Sequence, residues 1–164
     1  MRYLITFSCY GAHLHGDEPG SVDREHNLPG GRYVDFDPQR LSWVRASMDQ
    51  EPYLLDQIRR ETVLVAVEKH CLLRGWNLLA AHARTNHVHV VVESDVPPER
   101  MLNEIKSYAS RALNLLRCDE LGRKRWARHG STRWLWNDRE VGAAIKYVVE
   151  SQGEPMAVFV AQGL

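Results

Sequence analysis

The run Asn86-His87-Val88-His89-Val90-Val91-Val92 sets two imidazoles two residues apart among valines. On a β-strand successive side chains alternate, so His87 and His89 leave one face and Val88, Val90 and Val92 leave the other. Neutral imidazole is a metal ligand, and two on one face could begin a divalent-ion site, although two ligands do not complete one. The same spacing also suits a solvent-facing pair or a hydrogen-bonded core pair. His13-Leu14-His15 repeats it where a first strand gives way to a glycine-rich stretch. That copy reads as structural or substrate-contacting, not as the metal pair. The second chemical group is a phenol. Tyr147 follows Ala143 and Ala144 by one turn, and such small neighbours leave a phenol accessible. Glu150, three positions on, faces the tyrosine side of a helix, and an acidic oxygen there would suit Mg²⁺ or Mn²⁺. Tyr108, in Lys106-Ser107-Tyr108-Ala109-Ser110, is the rival tyrosine. Its helix is expected behind the sheet, away from the histidines, where an aromatic residue packs.

These groups must be positioned by secondary structure. Arg2 to Tyr10, rich in β-branched and aromatic residues, predicts a strand. Gly11 to Gln39 carries Gly, Pro, Asp and Asn throughout and predicts a long irregular connection, of a kind often functional. Pro52 to Leu73 predicts a helix with Leu55, Ile58, Thr62, Val65 and Leu72 on one face, stopped by Gly75. Trp76–Arg84 and His87–Glu93 predict a hairpin of two strands. Pro97-Pro98 opens a helix over Glu99–Arg117. Cys118–Thr132 reads as a basic loop, Arg133–Trp136 as a short aromatic strand, and Asn137 or Asp138 can cap a helix over Arg139–Gln152. Gly153-Glu154-Pro155 then ends that helix and leaves a short apolar tail. Strand, helix, strand, strand, helix, strand is the order of an α+β, ferredoxin-like split βαβ fold. Right-handed crossovers put the first and third strands in the middle of an antiparallel sheet. Two helices then cover one face, and an extra C-terminal helix carries Tyr147.

The chain has 164 residues, 44% of them hydrophobic, with Lys+Arg and Asp+Glu both 21. That length and composition predict one globular domain over residues 1–164 and exclude a disordered chain. No apolar run approaches the roughly 20 residues of a membrane span, and the N-terminus lacks the pattern of a signal peptide. Cys9, Cys71 and Cys118 are scattered, without the CxxC spacing of a zinc knuckle. A cytoplasmic protein is expected. Zero net charge says little about nucleic acid, because affinity depends on local charge. Locally, Arg123, Lys124, Arg125 and Arg128 surround Trp126. Cations that hold phosphates beside an aromatic that stacks bases suit a single strand. Trp134 and Trp136 read differently, with cross-strand packing at a sheet edge expected for at least one.

The histidine run, the aromatic strand Trp134-Leu135-Trp136 and the late helix Ile145-Lys146-Tyr147-Val148-Val149-Glu150-Ser151-Gln152 together resemble the HUH single-strand nucleases. The likeness is closest to the IS200-like tyrosine transposases and their REP-associated relatives, and it runs over most of the chain. The resemblance implies that Tyr147 is the nucleophile, attacking single-stranded DNA to give a 5′-phosphotyrosine and a free 3′-hydroxyl. It implies a divalent metal, Mg²⁺ or Mn²⁺, on His87 and His89, and no nucleotide cofactor, in keeping with the absence of a Walker A loop. It further implies hairpin-containing DNA as partner and a homodimer. Family members carry an amide one turn after the tyrosine to complete the metal site. Here Ser151 stands four positions on and Gln152 five, so the third ligand is either Glu150 or Gln152.

Three functions fit this reading: a transposase, a domesticated relative that processes host repeats, and a binding-only nucleic-acid module. The two histidines and the tyrosine speak against the last. Replacing either histidine with Ala is expected to remove cleavage and leave the fold largely intact, since a solvent-facing pair stabilises little.

Overall fold

The computed structural model describes residues 1–12 and 38–162. The His13-Leu14-His15 repeat and most of the Gly11–Gln39 connection lie outside the described residues. Among the described residues nine elements follow in order: β1 (Arg2–Cys9), α1 (Pro38–Ala46), α2 (Gln57–Arg74), β2 (Asn77–Ala83), β3 (His87–Glu93), α3 (Pro98–Leu116), β4 (Trp126–Leu135), α4 (Asp138–Glu150) and β5 (Ala157–Val160). The strands form one sheet in the order β4-β1-β3-β2-β5, with every neighbouring pair antiparallel. The architecture is α+β and ferredoxin-like, with β1 and β3 inside the sheet as the crossover rule requires. Among the described residues no helix is long and apolar enough to cross a membrane.

Alternation divides β1 and β3 between two faces. Tyr3, Ile5, Phe7, Val88, Val90 and Val92 join Val63, Val67, Met101, Ile105 and Ala109 in the main core beneath α2 and α3. A smaller cluster on the other face packs Leu79, Ala80 and Val91 against Val141, Ala144 and Val148 of α4. Helix α4 therefore lies on the histidine side.

Several elements depart from the sequence expectation. Helix α2 begins at Gln57, because Asp56 is extended and caps it by accepting from the Arg59 N–H at 2.9 Å. Gly75, at φ 66°, stops it in the left-handed conformation. Its buried face is Val63, Ala66, Val67, His70 and Cys71, whereas Ile58, Val65 and Leu72 are exposed. Val63-Leu64-Val65-Ala66-Val67 is apolar all round, so periodicity could not choose the side. Part of the expected basic loop is strand: β4 starts at Trp126 and pairs with β1 from Arg2↔Leu135 to Phe7↔Gly130 and, past a register shift, at Cys9↔Trp126. Gly130 permits the approach, since a Cβ there would sit 2.7 Å from the Thr6 carbonyl oxygen. The polar surface of an edge strand had hidden the period. The apolar tail is β5, paired with β2 from Ala80↔Val160 to Ala83↔Ala157. Helix α1 had no expected counterpart; it opens with Pro38 in its first turn, where the missing N–H costs nothing.

Asp119 ties the segment before β4 to the body. Its carboxylate accepts from Tyr53 Oη at 2.7 Å, Arg59 Nη2 at 2.8 Å and Arg125 Nε at 2.9 Å. Burial raises this carboxyl, but the three donors override it and the net shift is downward. A depressed carboxylate stabilises the fold above its unfolded pKa of about 4 and loses that contribution as pH falls through the folded value. Asp119→Ala removes the carboxylate that Arg59 and Arg125 share and is expected to cost about 3 kcal/mol at pH 7. Urea denaturation at pH 7 and pH 3 checks this. The gap between wild type and variant should shrink at the lower pH, and a constant gap would refute the account.

Candidate active site

Cross-strand register builds the site. Thr6 of β1, His89 of β3 and His82 of β2 are successive partners across the sheet, and directly opposed residues point to the same face. His87 and His89 lie side by side with ring centroids 4.7 Å apart. Each Nδ1 meets an oxygen: Asn86 Oδ1 at 2.6 Å for His87 and Thr6 Oγ1 at 2.8 Å for His89. An oxygen at Nδ1 orients the ring and reserves Nε2 for a ligand, as around metal-binding histidines generally. Burial pushes His89 down to about 4, with the neighbouring His87 adding to the effect. The ring is therefore neutral at physiological pH and keeps a lone pair.

Helix α4 starts at a reciprocal cap. Asn137 Oδ1 accepts from the Glu140 N–H, and the Glu140 carboxylate accepts from Asn137 Nδ2 and from the Trp136 N–H. Its apolar face, Val141, Ala144 and Val148, fixes its rotation. Tyr147 then stands beside His89, ring centroids 5.5 Å apart and edge-to-face, and is 45% exposed. Among the described residues its hydroxyl has no hydrogen-bond partner. Tyr147 and His89 meet within one chain.

The helix ends at Glu150, two residues before its expected end, and this decides where Gln152 lies. Past the helix end, the Gln152 amide folds back: Nε2 donates to the Tyr147 carbonyl at 3.3 Å. That bond settles the amide orientation and turns Oε1 toward His89 Nε2, 3.2 Å away. Glu150 is exposed and makes no hydrogen bond or ion pair with the histidines. Among the described residues, no three His, Cys, Asp or Glu side chains gather to hold a metal. The donor set here is two imidazoles and an amide oxygen.

Tyr108 lies on the other side of the sheet, its ring 4.4 Å from His70. It lines a groove with Ile58, Thr62, Val65 and Leu115 on the outer side of α2 and α3. Four of the five residues expected to bind DNA have partners inside the protein. Arg125 is half-buried and paired with Asp119, and it donates to Asn114 Oδ1. Trp126 packs edge-on against Phe7 and donates to Ser110 Oγ at 2.8 Å. Arg123 bonds Gln50 Oε1 and the Glu51 carbonyl, and Lys124 pairs with Asp49. Arg128 is exposed on β4. Trp134 packs edge-on against its cross-strand partner Tyr3, and Trp136 stacks on Trp134. Because Tyr3 faces the main core, both indoles lie away from the histidines.

The β1–β4 half of the histidine face is more open. Thr6 and Ser8 are half-exposed on an inner strand, while Ser131, opposite Thr6, and Arg133, opposite Leu4, are exposed. Sequence reasoning singled out none of Thr6, Ser131, Arg133 and His82 as candidate site residues. The alternation of β1, which sets Leu4, Thr6 and Ser8 on the histidine face, was the signal that could have found the first.

No family model and no curated protein matches the chain. Among solved structures, a REP-associated tyrosine transposase bound to a REP hairpin is similar to it at a TM-score of 0.49 and 12% identity. The match covers 92% of this chain, and the chain spans 65% of the length of that structure. At such identity the similarity concerns the fold alone.

Proposed function

We propose that the chain is a tyrosine-dependent, metal-assisted endonuclease and strand transferase acting on single-stranded DNA beside hairpins. The observation that carries the reading is the meeting of Tyr147 with His89 and Gln152, at 5.5 Å between rings and 3.2 Å between Nε2 and Oε1. Two cis ligands of an octahedral Mg²⁺ are about 3 Å apart, so the histidine–amide spacing fits the ion that the resemblance implies. His87, His89 and Gln152 would hold it. Gln152 rather than Glu150 is the proposed third ligand.

A bound divalent ion supplies charge stabilisation at the scissile phosphate. Tyr147 Oη attacks phosphorus and forms the phosphotyrosine bond as the bond to the 3′-oxygen breaks. The phenol loses its proton and the 3′-oxygen leaves as a hydroxyl. A phosphodiester is exchanged for a phosphodiester, so the step is reversible and a 3′-hydroxyl can later rejoin another end without nucleotide cofactor. Thr6 and Asn86 hold the two imidazoles by their Nδ1 atoms. The strand is proposed to cross the open half of the face, with Arg133 on a phosphate and the hydroxyls of Thr6, Ser8 and Ser131 beneath it. Catalysis runs in cis, so a homodimer would serve to bring two DNA ends together.

Incubating the protein with end-labelled single strands and Mn²⁺ should give a covalent band on denaturing gels that EDTA abolishes. A wild type that forms none on any hairpin-flanked strand sinks the proposal in favour of binding alone. For the ligand set, Gln152→Ala should weaken Mn²⁺ binding by roughly 10–100-fold in calorimetry, while Glu150→Ala should change it little. The opposite result would make Glu150 the ligand.

A further inference from the structure

We infer that His82, the third histidine of this face, is a positioning residue that clamps the end of the tyrosine helix over the pair; this rests on the phosphotyrosine reading above. His82 is fully buried and is the cross-strand partner of His89. Its Nδ1 lies 2.8 Å from the Val148 carbonyl oxygen, so Nδ1 must carry the proton. Its Nε2 accepts the Met156 N–H at 3.2 Å. Both ring nitrogens are thereby used, the ring is neutral in one tautomer, and it has no lone pair left for a metal. Three histidines lie together, but only two can act as ligands.

What His82 holds is the catalytic turn. Val148 follows Tyr147 directly, and its carbonyl is among the last four of α4, which have no partner within the helix. His82 satisfies that carbonyl from the sheet. Its second bond, to Met156, fixes the far end of the turn that carries Gln152, just before β5 begins. One side chain from β2 therefore sets the last turn of α4 and the exit from it. The Tyr147 carbonyl is held by Ser151 N–H and by Gln152, and neither of these bonds ties the helix to the sheet backbone. Loss of the His82–Val148 bond would let the turn lift away from His89, and a displacement near 1 Å can cost about 10²-fold in rate.

The two bonds can be separated. An Asn amide nitrogen takes the place of Nδ1, so His82→Asn keeps the donor to Val148 and loses the acceptor for Met156. A Gln amide oxygen takes the place of Nε2, so His82→Gln keeps the acceptor and loses the donor. Each variant gives up one buried hydrogen bond, so a purely structural role predicts similar losses of stability and similar rates per folded molecule. The expected result differs. His82→Gln should slow adduct formation by roughly tenfold or more relative to His82→Asn, with single-strand affinity alike in both. In metal-free protein, amide exchange over residues 148–152 should quicken in His82→Gln only. Equal rates and equal exchange in the two folded variants would overturn the inference while leaving the phosphotyrosine reading intact. If wild type forms no adduct, that reading falls, and the exchange comparison alone decides whether the clamp exists.

Discussion

Tyr147→Phe is expected to bind the same single strand with wild-type affinity and to form no covalent adduct on denaturing gels, a loss of at least about 10⁴-fold in rate. The substitution keeps the ring, its edge-to-face contact with His89 and the α4 packing. It removes the one atom that can attack phosphorus. Because the hydroxyl makes no hydrogen bond among the described residues, its loss leaves no buried group unpaired, and stability should be nearly unchanged. Tyr108→Phe is the matched control. Tyr108 lies between α2 and α3 against His70, on the far side of the sheet, so adduct formation should stay near normal. A normal adduct from Tyr147→Phe, or its loss in Tyr108→Phe, would move the nucleophile elsewhere.

The second large effect concerns the histidines. His87→Ala should lower Mn²⁺ affinity by roughly 10–100-fold and cleavage by about 10²–10³-fold while leaving the fold stable. His89 requires a different variant. The expectation of a solvent-facing pair fails for His89, which is only 4% exposed and bonded to Thr6 and Gln152, whereas His87 is half-buried. Truncating it to Ala would open a hole and strand both partners, so stability and activity would fall together. His89→Gln retains most of the volume and keeps the two effects apart. It should lose cleavage while its denaturation midpoint stays close to wild type. Wild-type cleavage by both His87→Ala and His89→Gln would remove the metal site from the mechanism.

The histidine strand was legible in the sequence because everything about it is local. A valine at alternate positions and a histidine between them leave one arrangement on a buried strand, and β3 runs over the expected His87–Glu93. The stop at Gly75 and the cap at Asn137 are equally local, since each concerns the backbone groups of one helix end. The order of strands and helices then left the ferredoxin-like sheet, with β1 and β3 inside, as the right-handed solution.

Tertiary structure decided what depends on distant parts of the chain. The exposed side of α2 could not be read from a helix that is apolar all round; only packing against the sheet and α3 turned Val63 and Val67 inward. Where the Gln152 amide lies, next to His89, turned on a helix ending two residues early, its Val148 carbonyl bonded to a histidine 66 positions away in sequence. The basic run before β4 looked like a DNA surface, because charge in a sequence carries no sign of its partner. In the fold Arg125 answers Asp119 and Arg123 answers Gln50, while Arg133, one strand beyond β1 on the histidine face, is exposed. Sequence alone determined which residues could do chemistry and which face of β3 they share. Register across the sheet decided which of them meet, because strand pairing and helix docking join groups that no local period connects.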